Sequence, residues 1–115
     1  MRKITLILLT LSAILFRCSK TNSCQELSFD ERQCGSDSFL SAGSDDEKLV
    51  QARDYLQAQG IDVIASDYDP NFHDAVCQSC DVCPTSLRFF FEVKPLEASD
   101  LNDLDLLNAE IGSCP

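Results

Sequence analysis

The residues of this chain best equipped for chemistry fall in one stretch, Asp67 to Ser86, which holds its only His and three of its seven cysteines. Cys77-Gln-Ser-Cys80-Asp-Val-Cys83 places three thiols two residues apart, and His73 stands four residues before the first. Thiolates at this spacing with a nearby imidazole are donors that zinc sites use, so His73, Cys77, Cys80 and Cys83 form one candidate metal set. Cys80 and Cys83 also have the spacing of a thiol–disulfide exchange pair, whose first Cys normally sits at a helix N-terminus. Here the pair encloses Asp81, whose charge opposes thiolate formation, and runs through Pro84 into a strand pattern. An iron–sulfur reading would need a fourth Cys three residues on, followed by Pro, whereas Pro84 follows the third directly. Asp67, Asp69 and Asn71 match the opening oxygen positions of an EF-hand loop, but Phe72 stands where the turn needs Gly and Gln78 where a bidentate Glu belongs. A Ser or Cys hydrolytic triad would have to use His73 as its base, and no GxSxG-type motif accompanies it; paired carboxylates are the other hydrolytic option, but their abundance in so acidic a chain does not supply a geometry. The expectation is a structural or binding module with no cofactor and no catalytic residues. A metal-binding or thiol redox role for the loop is the alternative.

Which chemistry the thiols can do depends on the compartment, and the first residues bear on that. Arg2 and Lys3 precede Ile4 to Phe16, a run of thirteen residues without charge. A membrane-spanning helix needs about 20 apolar residues, and a secretory h-region about 7 to 15. Residues 1–17 therefore read as a signal peptide. Leu15-Phe16-Arg17-Cys18 follows the order of a lipobox, and in this the chain resembles the precursor of a bacterial lipoprotein. The resemblance covers the first twenty residues and departs from the pattern at Arg17, where that family carries Gly, Ala or Ser. It implies that Cys18 becomes the mature N-terminus, bears the lipid and attaches the protein to a membrane. Because Ser19 carries no inner-membrane retention signal, the resemblance also implies the outer membrane, facing periplasm or surface. Beyond that segment the chain resembles small exported lipoproteins of no assigned activity. The competing expectation is cleavage after Ser23, with Thr21 and Ser23 as the small residues, and a secreted soluble protein.

Without residues 1–17 the chain keeps six Lys and Arg against 19 Asp and Glu, a net charge of −13. Nucleic-acid binding rests on neutralising phosphates with basic side chains, so nucleic acid is excluded as a partner. Anionic lipid is repelled in the same way, which leaves a covalent lipid as the means of membrane attachment. A protein partner in the envelope is the remaining expectation.

Export changes the reading of the cysteines. Cys24, Cys34, Cys77, Cys80, Cys83 and Cys114 make an even set, which in an oxidising compartment is a disulfide framework. Pairing within the cluster closes very short loops, so the expectation is that Cys77, Cys80 and Cys83 each bond to one of the scattered three. This leaves six of the 15 pairings, with the cluster as a hub holding both ends of the chain.

The elements that must position this loop are readable on either side of it. Ser44 with Glu47 predicts a capping box, Asp45 and Asp46 suit the positive end of a helix, and Leu49, Ala52 and Leu56 recur at helical spacing before Gly60. Ile61 to Ser66 reads as a buried strand. Leu87 to Lys94 alternates, with Leu87, Phe89, Phe91 and Val93 on one face and Arg88, Phe90, Glu92 and Lys94 on the other, until Pro95. Phe90 is expected under the N-terminal tether or at an interface. Ser99 predicts the cap of a last helix to about Asn108, with Leu101, Leu104 and Leu106 or Leu107 as its stripe. A third strand over residues 25–30 is the weakest of these patterns. The predicted architecture is α+β: a two- to three-stranded antiparallel sheet with two helices, stapled by disulfides. Its parts are a signal peptide (1–17), a lipid attachment site and Ser-rich tether (18–43), and a domain (44–115) containing the Cys-rich loop (67–86).

Overall fold

A computed structural model describes residues 24–115 apart from Ala75; the signal-peptide and Cys18 expectations lie outside the described residues. The class is α+β, built on a four-stranded antiparallel sheet. The elements are β1 (Gln25–Arg32), α1 (Asp45–Ala58), β2 (Val63–Asp69), β3 (Pro84–Val93), the short α2 (Ala98–Asn102) and β4 (Leu107–Ser113). The sheet order is β2-β3-β1-β4.

The central pair is β1 with β3. Leu27 lies opposite Phe91 and Phe29 opposite Phe89, so alternation stacks these four on one face. There they meet Ala52 and Leu56 of α1, together with Ile61, Leu87 and Val93, to form the core. Leu27, Phe29, Leu56, Phe89 and Phe91 are completely buried. Phe39 extends this aromatic layer, packing edge-on against Phe29 at 6.1 Å and stacking on Tyr55 at 4.3 Å. The predicted faces of β3 are therefore those observed.

α1 begins and ends where its sequence signals stand. Ser44 Oγ accepts a hydrogen bond from Glu47 N at 3.2 Å, which is the Ser44 half of the predicted capping box. Three acidic residues occupy the first turn, favourable against the helix dipole. Gly60 then takes φ +86°, a left-handed conformation that glycine adopts without penalty. Ser44→Ala is expected to destabilise the domain by about 1 kcal/mol, read from the urea midpoint. An unchanged midpoint would show that the cap contributes nothing.

Three expectations are corrected. Residues 25–32 are not part of a tether: β1 is hydrogen-bonded on both edges, to β3 and to β4, so the folded unit begins before Ser44. Its weak pattern has a physical cause, because among the described residues helix covers only one face of the sheet. Ser28 and Asp30 on the other face interrupt what would otherwise be an apolar run.

The second correction concerns the last helix, which stops at Asn102 and is capped by Glu97 and Asp100 rather than by Ser99. Asp103 and Asp105 would load negative charge onto the C-terminal end of a longer helix, where the dipole disfavours it. Instead Leu107, Ala109 and Ile111 alternate along β4, which pairs with the free edge of β1. The third correction is that β2 reaches Asp69 and β3 begins at Pro84, so the connecting loop is shorter than the predicted 67–86. Phe90 is met by Phe72 of that loop at 5.8 Å.

Candidate functional site

The face of the sheet opposite α1 carries a buried polar cluster. Asp30 and Arg88 are direct cross-strand partners on β1 and β3, 1% and 3% exposed. Arg88 Nη1 donates to Asp30 Oδ1 at 2.8 Å, and Nη2 donates to Ser28 Oγ at 2.9 Å and to the Asn108 carbonyl at 3.2 Å. Asn108 Nδ2 donates to the other oxygen of Asp30 at 2.9 Å.

Asn108 reaches this position through a local irregularity. The β1–β4 register shifts between Ser28 and Asp30, and Asn108 takes φ +53°, which Asn tolerates better than most residues. A bulge of this kind re-aims a side chain, here toward the buried carboxylate.

The Cys-rich loop supplies the cover. Phe72 N donates to the Ser86 carbonyl at 2.9 Å, fixing the loop on β3. The Phe72 ring then lies 5.1 Å from the Arg88 guanidinium carbon, a cation–π distance. His73 Nε2 lies 2.9 Å from Asp30 Oδ1, but its direction falls outside hydrogen-bonding geometry, leaving a buried ring nitrogen without a hydrogen-bond partner. Asp30, Phe72, His73, Arg88, Asn108, Ala109 and Glu110 together line an open cleft of about 310 Å³. Glu110, on its rim, is 3.5 Å from Arg88.

Burial by itself raises the pKa of Asp30, but the bonds from Asn108 and Arg88, the neighbouring His73 and the Arg88 charge outweigh it and hold the carboxyl below its ordinary value. The native state then binds this proton less tightly than the unfolded chain. Its stabilisation is complete above the unfolded pKa of about 3.9 and is lost as pH falls through the lower native value. Asp37 is the opposite case: burial outweighs its bonds from Arg32, and the Glu31 charge adds to the upward shift. Its contribution is present at low pH and lost as pH rises through the raised native value. Asp30→Asn is therefore expected to flatten the acid side of a stability profile taken from about pH 5 to pH 2. A slope equal to that of the unsubstituted protein would contradict the assignment.

The six described cysteines are paired as Cys24–Cys114, Cys34–Cys80 and Cys77–Cys83. Only Cys34–Cys80 joins the cluster to an outside residue, so the hub expectation is corrected. Strand order explains the change: β4 pairs with β1 from Gln25–Ser113 onward, which brings Cys24 and Cys114 together at the sheet's end. The loop's turn likewise brings Cys77 to Cys83, with Cys83 N donating to the Ser79 carbonyl at 3.1 Å.

The candidate metal set His73, Cys77, Cys80 and Cys83 is not brought together, since the sulfurs are bonded in two separate disulfides and His73 turns to Asp30. The Cys80–Cys83 exchange pair is likewise not a bonded pair. Cys24, Glu92 and Cys114 do approach one another, but a disulfide offers no thiolate to a metal. Of the EF-hand-like residues, Asp67 and Asp69 lie in β2 and accept from the backbone N–H groups of Tyr68 and Asn71 at 2.8 and 2.9 Å.

Sequence reasoning missed Asp30 and Asn108, and it placed Arg88 on an outer face without its burial. The available signal was a charged residue next to a core aromatic in each segment, Asp30 after Phe29 and Arg88 before Phe89. Three disulfides in so small a unit assign its folding to an oxidising compartment outside the cytoplasm. The chain was compared with protein families, curated proteins and solved structures, and none matches.

Proposed function

We propose that the protein is an exported cell-envelope module, carried on a covalent lipid at Cys18 and acting by binding or structural support rather than catalysis. The observation that carries this reading is cysteine arithmetic. Three disulfides take Cys24, Cys34, Cys77, Cys80, Cys83 and Cys114, and the seventh Cys of the chain is the one that follows the apolar run. An odd Cys in an exported chain calls for a separate role, and lipidation supplies one. In this reading the protein belongs to the outer membrane, facing periplasm or surface, and meets a protein partner there through the cleft beside Arg88. Binding is favoured over catalysis because the cluster's groups serve one another: Ser28 accepts from Arg88, and Asp30 is held by Arg88 and Asn108.

The test is the intact mass of the protein from its native membrane fraction, alkylated under denaturing, non-reducing conditions. The expected result is a lipid-sized increment on a chain beginning at Cys18, with no alkylation. A soluble chain beginning after Ser23 would replace the anchor with secretion. Alkylation at Cys77, Cys80 or Cys83 would instead support the metal or redox reading.

A further inference from the structure

The sheet topology sets how such a protein stands on its membrane. Strand β1 starts at Gln25, one residue after Cys24, and is hydrogen-bonded on both edges. Cys24 is covalently tied to Cys114 at the end of β4, and Cys114 N donates to the Cys24 carbonyl at 3.4 Å. The chain cannot fray from this end to lengthen a leash. Whatever path residues 19–23 take, the six steps from Cys18 to Cys24 reach at most about 20 Å.

The strand directions define the two ends of the body. Gln25 of β1 lies beside Val93 of β3 and Ser113 of β4, and Val63 of β2 also pairs with Val93. These residues share the Cys24–Cys114 end. Arg32 lies beside Pro84 at the other end, about 24 Å further along β1. That far end carries Cys34–Cys80, Cys77–Cys83 and the loop between β2 and β3, where Gln33 N donates to the Cys83 carbonyl at 3.1 Å. It also exposes Phe72, Val76 and Val82, the last at 67%.

We infer that the Cys24–Cys114 end of the sheet is the surface that faces the lipid bilayer, within about 20 Å of it, and that the cystine loop lies at the end turned away. The inference rests on the lipid at Cys18. Charge sets the sense of the tilt. The chain from Cys18 bears a net −13. An anionic lipid surface repels such a body, so attachment at one end turns the rest outward. The exposed apolar residues of the far end thus face the aqueous envelope and not the acyl chains. Leash and strand together place any partner they meet within about 45 Å of the same leaflet.

The protein contains no Trp, so a single introduced Trp reports one position. Ser113→Trp and Val82→Trp variants would be purified with their native lipid, checked by intact mass for the lipid and three disulfides, and inserted into phosphatidylethanolamine–phosphatidylglycerol vesicles carrying a dansyl headgroup. The expected result is energy transfer from the Ser113→Trp variant several-fold above that from Val82→Trp. Transfer from Val82→Trp should rise when phosphatidylglycerol is replaced by phosphatidylcholine. Equal or reversed transfer from lipidated, fully oxidised variants would overturn the orientation while leaving the anchor intact. A mass without lipid would overturn the anchor, and the orientation with it.

Discussion

Removing Cys24 and Cys114 together, as a double Ser variant, is expected to lower the unfolding free energy by about 4 to 5 kcal/mol, the largest loss among the three disulfides. The reason lies in the unfolded chain. This bond joins residues 90 apart, whereas Cys34–Cys80 spans 46 and Cys77–Cys83 spans 6. A cross-link restricts the unfolded ensemble more as the loop it closes lengthens, so the same relation gives about 4 kcal/mol for Cys34–Cys80 and about 2 kcal/mol for Cys77–Cys83. The native state adds to the difference. Cys24–Cys114 holds the last residues of β4, an edge strand whose side chains are at most half-buried, against the central β1. Urea unfolding of the three double-Ser variants without reductant checks the ranking, and a Cys77/Cys83 variant less stable than the Cys24/Cys114 variant would refute it.

Arg88→Met is expected to cost about 3 to 5 kcal/mol, because it strands a buried carboxylate. Asp30 would keep its bond from Asn108 and the contact with His73, but would lose its buried cationic partner at 2.8 Å. Breaking a buried pair is far more destabilising than replacing both of its members. The double variant Asp30→Leu/Arg88→Met is therefore expected to recover a large part of the loss, and the double-mutant cycle should return a coupling of at least about 1 kcal/mol. A fully additive cycle would mean that Asp30 and Arg88 stabilise the fold independently.

These two effects lie on features that differ in how far the sequence discloses them. The existence of a disulfide framework follows from an even set of cysteines behind a signal-like segment. Its connectivity does not, because pairing is decided by which strand ends meet. The hub expectation weighed only loop lengths and so missed that β4 returns alongside β1. The helix before Gly60 was legible for the opposite reason: cap, acidic first turn, apolar spacing and terminating glycine are all local. The faces of β3 were legible because alternation over Leu87 to Val93 is also local.

The C-terminal segment shows where local pattern is ambiguous. Leu101, Leu104 and Leu107 satisfy a helical period, while Leu107, Ala109 and Ile111 satisfy a strand period, and the sequence contains both. The open edge of β1 decides between them, since backbone pairing there stabilises an extended chain that a helix could not offer. The Arg88 cluster is non-local in the same sense. Asp30, Arg88 and Asn108 are separated by 58 and 20 residues, and only strand register and a bulge bring them together.

By itself, then, the sequence determined the uncharged apolar run of residues 4–16, the acidic charge, the oxidisable cysteine set, helix α1 and the core face of β3, each through neighbours within a few residues. The tertiary structure alone decided the central place of β1, the conversion of the last segment to β4, the three cysteine pairings and the buried cluster beneath Phe72 and His73. Each of these depends on contacts between residues distant in sequence, whose free energy appears only when the chain closes on itself.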